Sequence, residues 1–261
     1  MSKAILNPTP TIIINADDFG LTESCNENIS ASFAHAIITS ATLMANMQFF
    51  KEACQLARDN DFDKHLGLHF NLSYGSPLSS SIKRITKICD SNGQFNFGLA
   101  RHAIFLPRAT QHAILKELEQ QWQACLDNGI QPTHIDSHQH IHNIIPIARI
   151  VATFAAKQGV PVRLARNVGK NVNAMKSIFK SILNAQITRH APTPVRYACT
   201  PMDLLDGVAP TNSTIEIICH PIKLADGSLG DAYLPHGVSL VSVINAAYPN
   251  ANKVSYSHFS G

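Results

Sequence analysis

The stretch Thr11-Ile12-Ile13-Ile14-Asn15-Ala16-Asp17-Asp18-Phe19-Gly20 decides the fold. Its opening run, TIIINA, is rich in β-branched residues and almost wholly apolar, which is typical of a parallel strand buried on both faces. Two carboxylates and a glycine follow closely, as they do where a strand ends in a polar turn. We therefore predict a core strand over Thr11 to Ala16, with Asp17 and Asp18 at its carboxyl end.

Short apolar runs of this kind recur and alternate with segments of helical periodicity. The clearest helical segment runs from about Thr110 to Asn128, with Gly129 as its C-terminal cap. Further strands are predicted at Ala41 to Asn46, His65 to Leu72, Thr133 to Ser137, Val160 to Ala165, Arg196 to Cys199 and Ile215 to Cys219. This alternation predicts an α/β fold with a parallel sheet, either open or closed into a barrel.

Length and composition place these elements in one domain. The chain has 261 residues, of which 45% are apolar and 15% charged, and one large core suits a chain of this size. We predict a single domain over residues 1–261. The Ser-, Gly- and Asn-rich segment from Ser73 to Pro107 is predicted to be a long loop or lid over the mouth of the site.

The same composition disfavours several classes of protein. The net charge of +3 is too small to predict nucleic-acid binding, and no run reaches the roughly 18 apolar residues of a membrane span. The start of the sequence lacks the apolar stretch of a secretory signal, so we expect a cytoplasmic location. The six cysteines form no close pair, so we expect reduced, mostly buried thiols.

The polar candidates share one position relative to the predicted strands. Asp17 and Asp18 follow the first strand, His69 lies late in the third, His138 follows the fourth and His220 follows the last. In open α/β sheets and in barrels alike, the active site lies beyond the carboxyl ends of the strands. We therefore expect these side chains to meet in one site.

The densest local signal is Thr133-His134-Ile135-Asp136-Ser137-His138-Gln139-His140-Ile141-His142. In an extended chain, its four histidines and Asp136 would lie on one face because side chains alternate along a strand. Neutral imidazole is a common ligand of divalent ions, and a nearby carboxylate commonly fixes its orientation. A surface or hydrogen-bonding role explains any one of these histidines about as well, but the cluster as a whole indicates a metal site.

Asp18, His69 and His138 form the predicted ligand set. Adjacent Asp17 and Asp18 point in different directions, so one carboxylate can bind a metal while the other transfers a proton. A turn or N-cap role is the alternative for this pair, and a core position is the alternative for His69 alone. Two histidines and one carboxylate suit one divalent ion, Mg²⁺ or Zn²⁺, with Mn²⁺ and Co²⁺ as further candidates.

His220 and Arg163 are assigned further catalytic roles, with Arg166 as the alternative to Arg163. His220 ends the last apolar strand and is the candidate for protonating a leaving group, with a strand-end cap as its alternative. Arg163 and Arg166 follow another strand, where either arginine could hold the Asp17 carboxylate ionised. A surface role explains an arginine there about as well.

A basic stretch lies between Asp136 and Asp203, where the chain has no acidic residue. Its lysines and arginines, Arg163 included, predict a positively charged flank. Within it, Ala174 to Arg189 is an amphipathic pattern with apolar Met175, Ile178, Phe179, Ile182 and Leu183. We expect this helix to pack its apolar face on the sheet and regard membrane contact as the less favoured alternative.

Five motifs together resemble the YdjC-like carbohydrate deacetylases, the family that includes chitooligosaccharide deacetylases. In family order they are Asn15-Ala16-Asp17-Asp18-Phe19-Gly20, Thr39-Ser40-Ala41-Thr42-Leu43-Met44, Gly67-Leu68-His69-Phe70-Asn71-Leu72, the histidine-rich stretch from Thr133 to His142, and Cys219-His220-Pro221. The resemblance implies an irregular (β/α) barrel related to polysaccharide deacetylases. It also implies a metal held by Asp18, His69 and His138, and Asp17 as the catalytic base.

The resulting hypothesis is a metal-dependent hydrolase that removes an N-acetyl or other acyl group from an amino sugar or a short oligosaccharide. Asp17 would deprotonate an activated water and His220 would protonate the departing amine. Three alternatives stay open: another metallohydrolase such as an amidohydrolase or phosphoesterase, a deacetylase of a lipid-linked or phosphorylated glycan, and a non-catalytic sugar- or metal-binding protein. The expected partner is a small saccharide, and a homodimer stays open.

Overall fold

In the computed structural model, which describes residues 9–170, 172–191 and 193–259, parallel strands form the main sheet. The strands are β1 (Thr11–Phe19), β2 (Ser40–Leu43), β3 (Leu66–Phe70), β4 (Ile135–Ser137), β5 (Tyr197–Cys199), β6 (Thr214–Cys219), β7 (Pro221–Lys223), β8 (Leu229–Asp231) and β9 (Asn252–Lys253). The main sheet has the order β4-β3-β2-β1-β6-β5, with β9 also pairing with β1, while β7 and β8 form a separate antiparallel hairpin. The strand β1 is therefore central in the sheet, and most of its residues are buried.

The segment from Val160 to Asn167 joins the two edge strands of this sheet. The backbone N–H of Arg163 donates to the Ile135 carbonyl of β4 at 3.0 Å, and that of Asn167 donates to the Ala198 carbonyl of β5 at 3.3 Å. This predicted strand is reduced to an isolated parallel bridge to Ile135. The prediction of an irregular α/β barrel is confirmed, with this segment as its irregular part.

Helices connect most of the parallel strands. They are α1 (Glu23–Ala34), α2 (Phe50–Asp59), α3 (Arg108–Asp127), α4 (Ile145–Gln158), α5 (Ala174–His190), α6 (Pro201–Leu205) and α7 (Leu240–Ala247). Short 3₁₀ turns lie at Asp63–His65, Ile82–Arg84, His138–Asn143 and Tyr256–Phe259. The Thr22 hydroxyl caps α1 by accepting the Cys25 N–H, and Gly159 ends α4 in the left-handed region at φ 72°.

The sequence-based expectations for the thiols are confirmed. All six cysteines are free, and all except the half-buried Cys25 are buried. Burial raises the pKa of the Cys54 thiol to about 12, so this side chain behaves as a small apolar group. Within the described ranges, no helix is long and apolar enough to cross a bilayer.

The expected packing of α5 is wrong for its first half. Leu183 and Ile187 are buried, but Met175, Ile178, Phe179 and Ile182 are exposed. The side chain of Asn184 anchors the second half of the helix. Its Oδ1 accepts from the Ala165 N–H, and its Nδ2 donates to the Ala165 carbonyl. The helix therefore docks on the barrel by its C-terminal turns, and its N-terminal turns project into solvent.

Gly67 of β3 supports the packing beneath the site. A Cβ at this position would lie 2.5 Å from ring atoms of His134, whose imidazole stacks on the Tyr256 ring with 3.8 Å between centroids. We expect Gly67→Ala to lower the free energy of unfolding by about 1–3 kcal/mol, the usual cost of overpacking a core. Urea denaturation would measure this. The exposed Gly98→Ala is the control, because φ is not in the left-handed region at either glycine and an added Cβ at Gly98 meets no atom closer than 3.6 Å. A Gly67→Ala protein no less stable than Gly98→Ala would contradict the packing argument.

Candidate active site

A bulge at the end of β1 positions the two adjacent carboxylates. Along β1 the pairing with β2 advances from Ala16 to Phe19 while β2 advances only from Ala41 to Leu43, so β1 carries one extra residue there. Asp18 takes the left-handed conformation at φ 70°, which Asp tolerates better than most residues. The bulge interrupts the regular alternation of side chains between the two faces of β1, so the side chains of Asp17 and Asp18 can take separate roles.

Asp18, His69 and His138 converge as the sequence predicts. Asp18 Oδ1 lies 3.1 Å from His69 Nε2 and 2.8 Å from His138 Nδ1. One ligand atom from each residue lies within 4.8 Å of the others, so the three side chains could hold a metal ion. They come from the ends of β1, β3 and β4, which places the cluster at the carboxyl edge of the sheet.

The orientation of His69 is set by the neighbouring strand. His69 and Asp136 are paired in register between β3 and β4, and His69 Nδ1 lies 2.7 Å from Asp136 Oδ1. The Thr42 hydroxyl donates to the other oxygen of Asp136 at 3.0 Å. Since Nδ1 is engaged by the Asp136 carboxylate, Nε2 is the nitrogen that faces Asp18 and would be left to bind a metal, as in metal-bound histidines.

The electrostatic field of this cluster favours positive charge. Burial would lower the pKa of the His69 imidazole, but the Asp136 and Asp17 carboxylates outweigh it and hold that pKa well above its ordinary value. Burial would likewise raise the pKa of Asp18, yet its contacts with His138 and His69 hold it below the usual range. The pocket thus stabilises an ionised carboxylate and a cation together.

Arg163 lies against Asp17 and is fully buried. Its Nη1 and Nη2 donate to the two oxygens of Asp17 at 2.8 and 2.7 Å, and its Nη1 also lies 2.6 Å from Asp136 Oδ2. Its Nε donates to Glu216 at 2.7 Å. Burial would raise the pKa of the Asp17 carboxyl, but the guanidinium outweighs it and holds that pKa well below its usual range. Arg166, the alternative partner, instead pairs with Asp203 at 3.3 Å.

His220 lies at the edge of the carboxylate pair. Its Nε2 is 3.9 Å from Asp17 Oδ2 and 3.9 Å from Asp18 Oδ2. The backbone N–H of His220 donates to Asp231 Oδ2 at 2.6 Å, so the β7–β8 hairpin fixes the position of this residue. The ring packs edge-on against Tyr233, and its Nδ1 is buried with no hydrogen-bond partner among the described residues.

The expectation that the clustered histidines share one face is wrong. The strand β4 ends at Ser137, and the chain then turns with Gln139 and His140 at φ 50° and 53°. His134 is buried beneath the site, where its Nε2 bonds Asn15 Oδ1 at 3.0 Å. His142 is buried against the Ser137 hydroxyl, and burial lowers the pKa of both rings well below the ordinary value. Only His138 joins the cluster of Asp18 and His69.

A cavity of about 370 Å³ opens over these side chains, which is within the size range of small-molecule sites. Its lining includes Asp17, Asp18, His69, His138, Gln139, His140, Arg166, Thr200, Met202, Ile218, His220 and Tyr233. The predicted Ser73–Pro107 loop reaches its edge, because Arg101 Nη1 donates to the Gln139 carbonyl at 2.8 Å. The exposed Tyr74 ring lies 6.5 Å from the His138 ring. The Tyr74 ring therefore lies close to a residue that lines the cavity.

Comparison with known protein families assigns the chain to one of them. Residues 11–226 match the family described as YdjC-like protein. The chain belongs to this YdjC-like family. The resemblance predicted from the five motifs is thereby confirmed.

Curated relatives of this YdjC-like protein carry deacetylase names. A carbohydrate deacetylase of Clostridium beijerinckii is 32% identical over 214 residues, covering 80% of this chain and 80% of the relative. A chitooligosaccharide deacetylase of Klebsiella pneumoniae is 29% identical over 241 residues, covering 90% and 91%. The crystal structure of a proposed cellobiose-phosphate cleavage protein from Enterococcus faecalis superposes with a TM-score of 0.73 at 22% identity, covering 97% of this chain and 100% of that one. This last likeness shows the shared fold.

Several residues that build the YdjC-like site escape sequence reasoning. Glu216 completes the charge network around Arg163, and the Tyr256 hydroxyl donates to its second oxygen at 2.8 Å. A carboxylate inside the apolar strand TIEIIC is the signal that could have identified Glu216. Nothing in the local sequence marks Tyr256, which reaches the network from the far end of the chain.

Proposed function

We propose that this protein is a carbohydrate N-deacetylase that hydrolyses the acyl amide of an amino sugar or short oligosaccharide, using one divalent metal ion. The convergence of Asp18, His69 and His138 beside the buried Asp17–Arg163 pair carries the proposal. The deacetylase names of the curated relatives support the substrate class. One domain over residues 1–261 and a cytoplasmic location remain part of the proposal.

The three proposed ligands fit a divalent ion by their chemistry and spacing. Ligand atoms bound to one zinc at about 2.0–2.2 Å lie roughly 3 to 3.5 Å apart, and Asp18 Oδ1 lies 3.1 and 2.8 Å from the two imidazole nitrogens. One carboxylate and two imidazoles also leave coordination positions for water and substrate. When bound there, the ion would polarise the acyl carbonyl and lower the pKa of water. We propose Zn²⁺ or Mg²⁺, with Mn²⁺ and Co²⁺ as further candidates.

Asp17 is proposed as the catalytic base. Arg163 holds it ionised through two hydrogen bonds, and Asn15 donates a third at 3.1 Å. Two carboxylate oxygens offer about four acceptor positions, so Asp17 retains capacity to accept a proton from water. A carboxylate with a lowered pKa is a weak base, which suits a water that is already activated.

His220 is proposed as the acid that protonates the amine. Amide hydrolysis needs this step because an unprotonated amine is a poor leaving group. His220 Nε2 lies 3.9 Å from Asp17 Oδ2 and 3.9 Å from Asp18 Oδ2, so this nitrogen faces the site. The proposed assignment therefore places the proton on Nε2, with donation to the departing sugar nitrogen.

The test is metal analysis of the purified protein followed by an assay for acetate release from N-acetylated amino sugars and short chitooligosaccharides. We expect chelation to abolish release and metal addition to restore it. Asp18→Ala should lose bound metal and activity together, whereas Asp226→Ala, which removes a carboxylate from the exposed β7–β8 turn, should keep both. Undiminished hydrolysis by metal-free protein, or no release from any such saccharide by metal-loaded protein, would refute the proposal.

Asp136→Asn is expected to weaken metal binding by about 10- to 100-fold, the usual effect of losing the carboxylate that orients a metal-bound histidine. The variant replaces the charged partner of His69 Nδ1. Titration calorimetry with the metal alone would measure it. Glu216→Gln is the matched control, because Glu216 pairs with Arg163 but is not bonded to His69. Equal weakening in both variants would show that the effect passes through Arg163 instead.

A further inference from the structure

We propose that the projecting face of α5 docks on the anionic surface of a lipid bilayer. The α5 stripe, as we name it, consists of Met175, Ile178, Phe179 and Ile182, which are 78%, 64%, 37% and 57% exposed. Their spacing of three and four residues places them on one side of the helix. Large apolar side chains exposed along one side of a helix indicate a surface that binds another molecule or a membrane.

Charges next to the stripe indicate an anionic partner. Lys176 and Lys180 lie in the same helical turns, and Ala174–His190 contains no acidic residue. Burial, and then the nearby Arg166 and Lys176 cations, lower the pKa of Lys180. An apolar stripe beside clustered cations is the pattern of a helix that lies in the plane of a membrane interface. Anionic lipid headgroups would neutralise these lysines while the stripe enters the acyl boundary.

A second copy of the chain fits this surface less well. A two-fold dimer would bring the same face of each copy together, so the basic side of α5, which carries no acidic residue, would face its own counterpart. A stable protein interface also takes about 20–30 residues a side, whereas the stripe offers four apolar side chains. A short apolar stripe with basic neighbours is sufficient for reversible interfacial binding.

The stripe is connected to the wall of the catalytic cavity. The anchored half of α5 holds Ala165 through Asn184, and the next residue, Arg166, lines the cavity. A docked α5 would therefore bring the cavity wall close to the lipid surface. The docking itself does not depend on the deacetylase proposal, since it concerns binding alone.

Vesicle co-sedimentation of the full chain tests the docking. Vesicles of phosphatidylcholine alone are compared with vesicles containing phosphatidylglycerol, at low and high salt. We expect binding to the anionic vesicles only, and at least a fivefold loss of bound protein in Ile178→Ser/Phe179→Ser and in Lys176→Gln/Lys180→Gln. Salt should weaken the binding because the electrostatic part is screened.

Matched variants elsewhere on the surface keep the test specific. Ile104→Ser/Phe105→Ser removes two other exposed apolar side chains, and Lys51→Gln/Lys116→Gln removes two other exposed cations; both proteins should bind as the parent does. Light scattering reports the mass in solution, and thermal unfolding verifies the fold of each variant. Absent binding to anionic vesicles, equal losses in the control variants, or a dimer that Ile178→Ser/Phe179→Ser converts to a monomer would overturn the proposal.

Discussion

Asp17→Asn should retain the bound metal and lose turnover by a factor of about 10²–10⁴, the range expected for removing a general base. The amide cannot accept the proton from the attacking water. Asp18, His69 and His138 are unchanged, so the proposed ligand set remains complete. Acetate release and metal content, measured on one preparation, separate the two effects.

Asp203→Asn is the matched control for this variant. Asp203 is also a buried carboxylate paired with an arginine, but its partner is Arg166 and it caps α6. We expect its turnover to change by less than tenfold. Turnover near the parent level in Asp17→Asn would refute the base assignment, and loss of metal together with turnover would place Asp17 among the ligands.

The sequence predicts the fold well where each element carries its own local signal. The β-branched run at Thr11 and the helical periodicity after Thr110 identify β1 and α3 to within a few residues. The segment from Val160 to Ala165 has the same apolar signal as a strand, yet it makes a single bridge. Local patterns do not reveal how many hydrogen bonds a neighbouring strand will supply.

The convergence of the candidate site residues is predictable from the sequence, and their surroundings are less so. Asp18, His69 and His138 each follow or end an apolar strand, so the common edge of the sheet brings them together. An extended chain would place His134, His140 and His142 on the same face as His138. Two left-handed residues after Ser137 break that alternation, and such residues other than glycine have weak sequence signals.

The exposed half of α5 shows a further limit of periodicity. Apolar residues at helical spacing predict that one face of the helix is apolar, but they do not predict which part of the protein, or which other molecule, packs against that face. The same pattern is buried at Leu183 and Ile187 and exposed at Ile178. Anchoring by Asn184 decides where the helix leaves the barrel, and that contact joins segments about twenty residues apart.

Arg163→Met is expected to lower the free energy of unfolding by about 3–5 kcal/mol at pH 7, the usual cost of leaving buried charges without their partner. The guanidinium is the shared cation of Asp17, Asp136 and Glu216, all of which are buried. Methionine fills a similar volume, so the loss reports charge and hydrogen bonding more than packing. Urea denaturation measures the change. Arg166→Met is the control: Arg166 is partly exposed in its pair with Asp203, so this variant should lower the free energy of unfolding by less than about 1 kcal/mol.

The pH dependence of Arg163→Met distinguishes charge from packing. In the parent protein the lowered pKa of Asp17 contributes stability above the ordinary carboxyl pKa of about 3.9, and this is lost as the pH falls through the lowered value. Without the guanidinium, burial is expected to raise the pKa of Asp17 in the folded state, as it already raises that of Glu216. The folded variant then binds more protons than its unfolded chain, so its stability falls as the pH rises. The deficit relative to the parent should be smaller at pH 5 than at pH 8, and adding Glu216→Gln should recover part of it. An equal deficit at both pH values would mean that Arg163 acts through packing alone.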